Sequence, residues 1–414
     1  MNNNTKHKLE LLAPAGDMEK LKTAVRFGAD AVYFGGEMFS LRAGAGNLSI
    51  EEIAEAMDWL HANGAKGYQT INIYAHNGDI QPLRDYLGKI KDIPIDAFLV
   101  SDPGIMLLMK EIIPGAEIHL STQANTTNYL TAGFWASHGV KRIVCAREMS
   151  LEEIRMMRDN LPEDIEIEAF VHGAMCISYS GRCLLSNFMT GRDANQGACT
   201  HPCRWKYSLV EEQRPGEYFP IEEDSRGSYI LNSRDLCMID KIPDLAEAGV
   251  YSLKIEGRMK SMYYVATVVS AYRAAIDEYL ADPDNYKFDP AHFKDLCKAS
   301  HREFTHGFYY NKPTDKDQNY LTSDYTRDYS FVGLARDTDP ASGLTTVEQR
   351  NKFSIGDVIE VFGPYTPFYE ETITEMYDEE GTPIESAPHP QQILKIRFNR
   401  PPEEGFILRK KKEQ

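Results

Sequence analysis

Short apolar runs recur along the first part of the chain at Leu9–Leu12, Ala31–Phe34, Gly67–Ile73, Ala97–Ser101, Glu117–Ser121, Arg142–Ala146, Ile165–Val171 and Tyr251–Ile255. Between them apolar residues fall at helical spacing, over Asp17–Phe27, Ser49–Asn63, Gln81–Ile90, Gly104–Ile112, Asn128–His138 and Ser150–Asn160. Alternation of this kind predicts parallel strands joined by covering helices. Ser49 with Glu52, and Ser150 with Glu153, have the spacing of capping boxes, in which a hydroxyl and a carboxylate satisfy the first orphan amides of a helix.

From residue 9 to residue 165 the strand starts advance six times by 26 residues on average. Eight such units predict a (β/α)8 TIM-barrel-like domain rather than an open doubly wound sheet, for which six strands usually suffice. The eighth strand arrives late, because residues 174–250, 77 in all, separate it from the seventh. A long insertion is therefore expected at the carboxyl end of strand seven, the end at which barrel sites form. A helix from Lys260 to Leu280 should complete the barrel, with another helical piece near Ala291–His301. After Phe331 the pattern turns to short alternating runs, Thr345–Glu348, Val358–Phe362 and Ile393–Phe398, broken by Gly, Pro and Asp. The expected division is a barrel domain over 1–329 and a small all-β, barrel-like domain over 330–414.

Of 414 residues, 42% are hydrophobic and 26% charged, which excludes a disordered or fibrous chain. Apolar runs stay far short of the roughly 20 residues that a membrane span needs, and the start, MNNNTKHKLE, lacks the apolar core of a secretory signal. A cytoplasmic protein without a membrane partner is expected; the pattern specifies no oligomeric state. The net charge of −17 argues against a generic polyanion binder, so any RNA site must be a local basic patch.

Four of the seven cysteines, Cys176, Cys183, Cys199 and Cys203, lie within 28 residues of the insertion. In a reducing compartment such clustering reads as metal binding, against the plain alternative of buried inert thiols. Only Cys199 and Cys203 have the close spacing usual for structural zinc, whereas an iron–sulfur cluster imposes no pair rule. Cys145 and Cys297 read as apolar fillers, and Cys237 is ambiguous, near an expected helix start. Residues 174–207 carry four cations, Arg182, Arg192, Arg204 and Lys206, against Asp193 alone, interleaved with Tyr179, Trp205 and Tyr207. That mixture suits phosphate contact and base stacking, or else simply offsets negative thiolates.

The expected strand ends offer Asn72, Asp102, Gln123, Asn125, Arg147, Glu148, His172, Glu256 and Arg258, a polar ring at one rim. Arg147 and Arg258 match the bidentate geometry of a carboxylate, unless each pairs with its neighbour Glu148 or Glu256 or with another rim acid. His172 can relay a proton near neutral pH, or hold a loop. Neither a His-Glu-x-x-His zinc motif nor a Gly-x-Ser-x-Gly elbow occurs.

Glu168 to Cys176 (EAFVHGAMC), followed by Ser180 to Ser186 (SGRCLLS), resembles the defining motif of the collagenase-like peptidase family U32. Leu12 to Gly16 (LAPAG), Gly28 to Tyr33 (GADAVY), Ser101 to Gly104 (SDPG), Asn195 to Cys199 (NQGAC) and Ser252 to Arg258 (SLKIEGR) extend the resemblance toward the tRNA-hydroxylating branch of that family. The resemblance implies hydroxylation rather than proteolysis: 5-hydroxyuridine at the wobble position of tRNA, with a 4Fe-4S cluster and with prephenate as co-substrate. Sister branches act on ribosomal RNA or a ubiquinone precursor. By motif position the cluster ligands are Cys176, Cys183, Cys199 and Cys203, with Cys237 as an alternative fourth. The expected catalytic residues are His172, Arg147, Glu256 and Arg258, and the expected RNA contacts Arg182, Arg192, Arg204, Trp205 and Lys206.

Overall fold

A computed structural model describes residues 9–41, 46–175, 179, 182–205, 208–209, 219–220, 234–311 and 325–412. Seven parallel strands, β1 (Glu10–Pro14), β2 (Ala31–Gly35), β3 (Lys66–Ile71), β4 (Ala97–Val100), β5 (Ile118–Leu120), β6 (Arg142–Val144) and β7 (Glu166–Ala174), pair in chain order. A closing strand, Ser252–Ile255, lies parallel to both β7 and β1, so these eight strands close into a barrel.

Helices α1 (Met18–Arg26), α2 (Ile50–Ala62), α3 (Ile80–Ile90), α4 (Pro103–Ile112), α5 (Tyr129–Ser137) and α6 (Leu151–Asp159) form the outer layer. In α2 the buried residues are Ile53, Ala56, Met57 and Leu60, and in α3 they are Leu83, Tyr86, Leu87 and Ile90. Both sets repeat at i, i+3, i+4, i+7, the stripe that a sheet can cover. Ser49 with Glu52 and Ser150 with Glu153 close both halves of their capping boxes. The helix Met262–Ala281 is buried almost all round, because α1, β1 and the β-rich part of the chain pack on different faces of it.

Two features depart from the sequence pattern. Asp235–Cys237 is a strand rather than a helix start: it runs antiparallel to the upper part of β7, with Cys237 opposite His172, while the lower part of β7 pairs with the closing strand. The pairing of β7 with β6 ends at Glu168, and Asp235–Cys237 takes up that edge, while the closing strand shifts register between Lys254 and Ile255 to reach His172. The helix expected near Ala291–His301 spans Pro290–Leu296, with Asp289 as its N-cap.

From Tyr329 the chain forms a seven-stranded antiparallel sheet with its own apolar cluster, including Val332, Val347, Phe353, Val361, Leu394 and Leu408. Tyr263 stacks on Phe331 at 5.8 Å, and Phe27 meets Phe362 edge-on at 5.6 Å. Beside these rings Glu360 accepts from Arg409 (2.8 Å), Lys298 (3.0 Å) and the Tyr329 hydroxyl (3.1 Å), a charged clamp between barrel and sheet.

Candidate active site

Strand alternation sends every second side chain into the barrel. On the closing strand these are Ser252 and Lys254, continued by Glu256; on β7, Glu166, Glu168 and Phe170; on β3, Tyr68 and Thr70, continued by Asn72. The lowest layer is charged. Arg142 binds Glu10 (2.6 Å), Glu166 (2.6 Å) and Glu168 (3.2 Å), while Tyr68 (2.7 Å) and Ser252 (2.8 Å) donate to Glu10. One layer up, Lys254 binds the other oxygen of Glu168 at 2.7 Å. Burial opposes ionisation of Glu168, but Lys254 and Arg142 outweigh it and hold the carboxyl below its usual range; Arg142 does the same for Glu10. Burial, with Arg142 adding to it, pushes the Lys254 ammonium down from the ordinary lysine range against the pull of Glu168 and Glu256.

Above this ladder a pocket of ≈ 60 Å³ opens at the carboxyl ends of the strands, lined by Thr70, Asn72, Gln123, Lys254, Glu256 and Arg258 among others. Three of the four expected catalytic residues, Arg147, Glu256 and Arg258, line it together. Arg147 pairs with Glu256 at 3.1 Å and lies over the Phe170 ring at 4.0 Å. Arg258 is held by Ser40 Oγ (2.7 Å), the Leu41 carbonyl (2.8 Å), Thr70 Oγ1 (3.1 Å) and Asn47. Asn72 receives the Leu41 amide and donates to Ser121 and Gln123, so it frames the pocket wall. Asp102 instead caps α4 through the amides of Gly104 and Ile105.

His172 is not among the pocket residues. It lies between Tyr264, Tyr272 and Phe304, and burial, with Lys260 and His301 adding to it, drives its pKa down to about 3. A ring held neutral in that setting is a poor proton relay near pH 7. Cys237 is also buried, its sulfur 3.9 Å from the Tyr272 hydroxyl and its thiol pushed up to about 12 by burial.

The insertion docks beside the pocket through Tyr74. Arg182 lies over the Tyr74 ring at 5.2 Å, Gln196 donates to the Tyr74 carbonyl at 2.6 Å, and the Tyr74 hydroxyl donates to the Gln123 carbonyl at 2.7 Å. Cys183 and Cys199 sit in turns in which each sulfur accepts a backbone N–H two residues on, from Leu185 and His201, both at 3.4 Å. Ser186 ties the two turns together by accepting the Thr200 amide at 3.1 Å. Half-exposed sulfurs that accept amide hydrogens suit thiolate ligation. Cys203 is half-exposed in the next turn. Cys176 lies outside the described residues, and among the described ones no three His, Cys, Asp or Glu side chains converge on a metal-sized space. Of the expected RNA contacts, Arg182, Arg192 and Trp205 are exposed; the Arg204 side chain and Lys206 lie outside the described residues. Phe188 and Leu184, 84% and 75% exposed, join this face unannounced by the cation pattern.

Sequence reading passed over Lys254, Glu168 and Arg142. The available signal was a charge at an inward position of a buried strand, where an aliphatic residue is the rule.

A closed parallel barrel with a charged pocket at the carboxyl ends of its strands has the architecture of the (β/α)8 enzymes. Residues 16–319 match peptidase family U32 and residues 327–409 match the C-terminal domain of that family, so the chain belongs to peptidase family U32. It is 43% identical over 405 residues to tRNA hydroxylation protein P1 of Bacillus subtilis (strain 168), spanning 98% of this chain and 95% of the relative. To tRNA hydroxylation protein P of Escherichia coli (strain K12) it is 39% identical over 398 residues, 86% of each. To a collagenase of Porphyromonas gingivalis it is 31% identical over 395 residues, 93% of each. No helix among the described residues is long and apolar enough to cross a membrane.

Proposed function

We propose that this chain is an RNA hydroxylase that forms 5-hydroxyuridine at the wobble position of tRNA. The observation that carries the reading is the 43% identity to a tRNA hydroxylation protein across 98% of the chain, insertion and β-rich part included. The pocket is chemically compatible. Its lining holds Arg147, Lys254 and Arg258 against Glu256, a cationic excess suited to an anionic co-substrate, for which prephenate is the candidate.

Cys176, Cys183, Cys199 and Cys203 would hold a 4Fe-4S cluster, which when bound supplies a redox-active centre beside the pocket. The chain's own residues divide the remaining work. Arg258 and Asn72 fix the pocket wall, Arg147 and Glu256 present a paired charge at its rim, and Arg182, Arg192 and Trp205 offer an exposed cationic and aromatic face to tRNA.

The collagenase relative favours a second reading, proteolysis by Cys176. That would need His172 as base, and His172 is enclosed by aromatic rings with its ring held neutral down to about pH 3. Nucleoside mass analysis of tRNA decides between them. In a host lacking other tRNA uridine hydroxylases, expression of the chain should restore 5-hydroxyuridine; no restoration, together with gelatin cleavage that Cys176→Ser abolishes, would establish the peptidase instead.

A further inference from the structure

Lys254 reaches the pocket from below. It is 3% exposed, yet its side chain borders the cavity one layer beneath Glu256. An ammonium carries three N–H donors. Glu168 takes one at 2.7 Å, and the faces of Tyr33 at 4.3 Å and Phe170 at 5.6 Å flank the ammonium. Glu168 is itself shared, since its second oxygen binds Arg142. The two arginines above are more fully engaged, Arg147 with Glu256 and Phe170, Arg258 with four oxygens of the Ser40–Asn47 and Thr70 region.

The pocket of ≈ 60 Å³ has room beside Lys254 for a small anionic group such as a carboxylate.

We propose that Lys254 is the residue that binds a carboxylate of the co-substrate at the pocket floor, with Glu168 as the positioning residue that aims it. This rests on the reading of the pocket as a co-substrate site. The interaction is a charge-assisted hydrogen bond from the ammonium to the carboxylate, with no covalent step. The charged groups facing Lys254 are Glu168, Glu256 and Arg142.

Titration calorimetry on the full chain tests it with prephenate and, separately, malonate. Lys254→Met paired with Glu168→Gln keeps the interior electroneutral, so folding is preserved and checked by its melting curve. The double variant should bind prephenate about 10- to 100-fold more weakly than wild type. Wild-type affinity should fall on the alkaline side before the ordinary lysine pKa near about 10.4 is reached, and Glu168→Gln should move that limb to lower pH, since it removes the carboxylate that favours the ammonium. Lys254→Arg should flatten it. Unchanged affinity in the folded double variant overturns the assignment and leaves the co-substrate reading standing. Wild-type protein that binds neither acid overturns both.

Discussion

Arg142→Met tests whether the charged ladder inside the barrel holds the fold. The guanidinium is 2% exposed and ties β6 to β1 and β7 through Glu10 at 2.6 Å, Glu166 at 2.6 Å and Glu168 at 3.2 Å. After its removal Glu168 keeps Lys254, and Glu10 keeps the Tyr68 and Ser252 hydroxyls but loses its cation. Stripping one partner from a buried ion pair costs about 3–5 kcal/mol, because the surviving charge stays out of water. With a urea dependence of about 3 kcal/mol per M or more for a chain of this size, the unfolding midpoint should drop by about 1 M. Glu10→Gln added to Arg142→Met removes the stranded charge and should recover part of the loss. The gap should also narrow in acid. Glu10 and Glu168 have depressed pKa values, so their stabilisation is complete above the ordinary carboxylate range and drains as pH falls through the folded values. A midpoint shift worth less than about 1 kcal/mol at pH 7 would refute the reasoning, since the ladder would then be no more than a surface-like pair. Arg84→Ala, which breaks the exposed pair with Glu111, supplies the contrast and should leave the midpoint unchanged.

His172, with a folded pKa near 3 against about 6.5 unfolded, favours the folded state fully only above pH 6.5; at pH 5 the unfolded chain gains about 2 kcal/mol by taking up the proton. His172→Phe should therefore reduce the loss of stability between pH 7 and pH 5 by about that amount, measured as urea midpoints at the two pH values. Glu360→Ala leaves Arg409 and Lys298 with Asp295 as their shared acid and should cost about 1.5–3 kcal/mol, with proteolysis near residue 329 rising in parallel. Cys183→Ser in anaerobically purified protein should lower iron per chain and the broad absorption near roughly 400 nm; iron content equal to wild type would remove Cys183 from the ligand set.

Most of the fold could be read in advance because its signals are local. Apolar runs of four to seven residues mark β1 to β7 to within a few residues, and Ser49 and Ser150 announce their helices through a carboxylate three positions on. The strand added to the edge of β7 was hidden for a physical reason. Asp235–Cys237 is a three-residue strand preceded by Asn232 and Ser233, and only pairing with residues more than 60 positions away makes it a strand rather than a helix start. The interior ladder was hidden for the same reason: Glu10 and Arg142 are 132 residues apart, and nothing near either one in sequence reveals the other. At the rim, by contrast, Arg147, Glu256 and Arg258 were identifiable, because a polar residue just past a strand end has few places to go except the barrel mouth.

The charged groups beneath and around the pocket are matched within the barrel: Glu10, Glu166 and Glu168 bind Arg142, Glu168 also binds Lys254, and Glu256 binds Arg147. Tyr74 then joins this pocket to the sulfur-bearing insertion, since its ring carries Arg182, its carbonyl holds Gln196 and its hydroxyl reaches the pocket-lining Gln123.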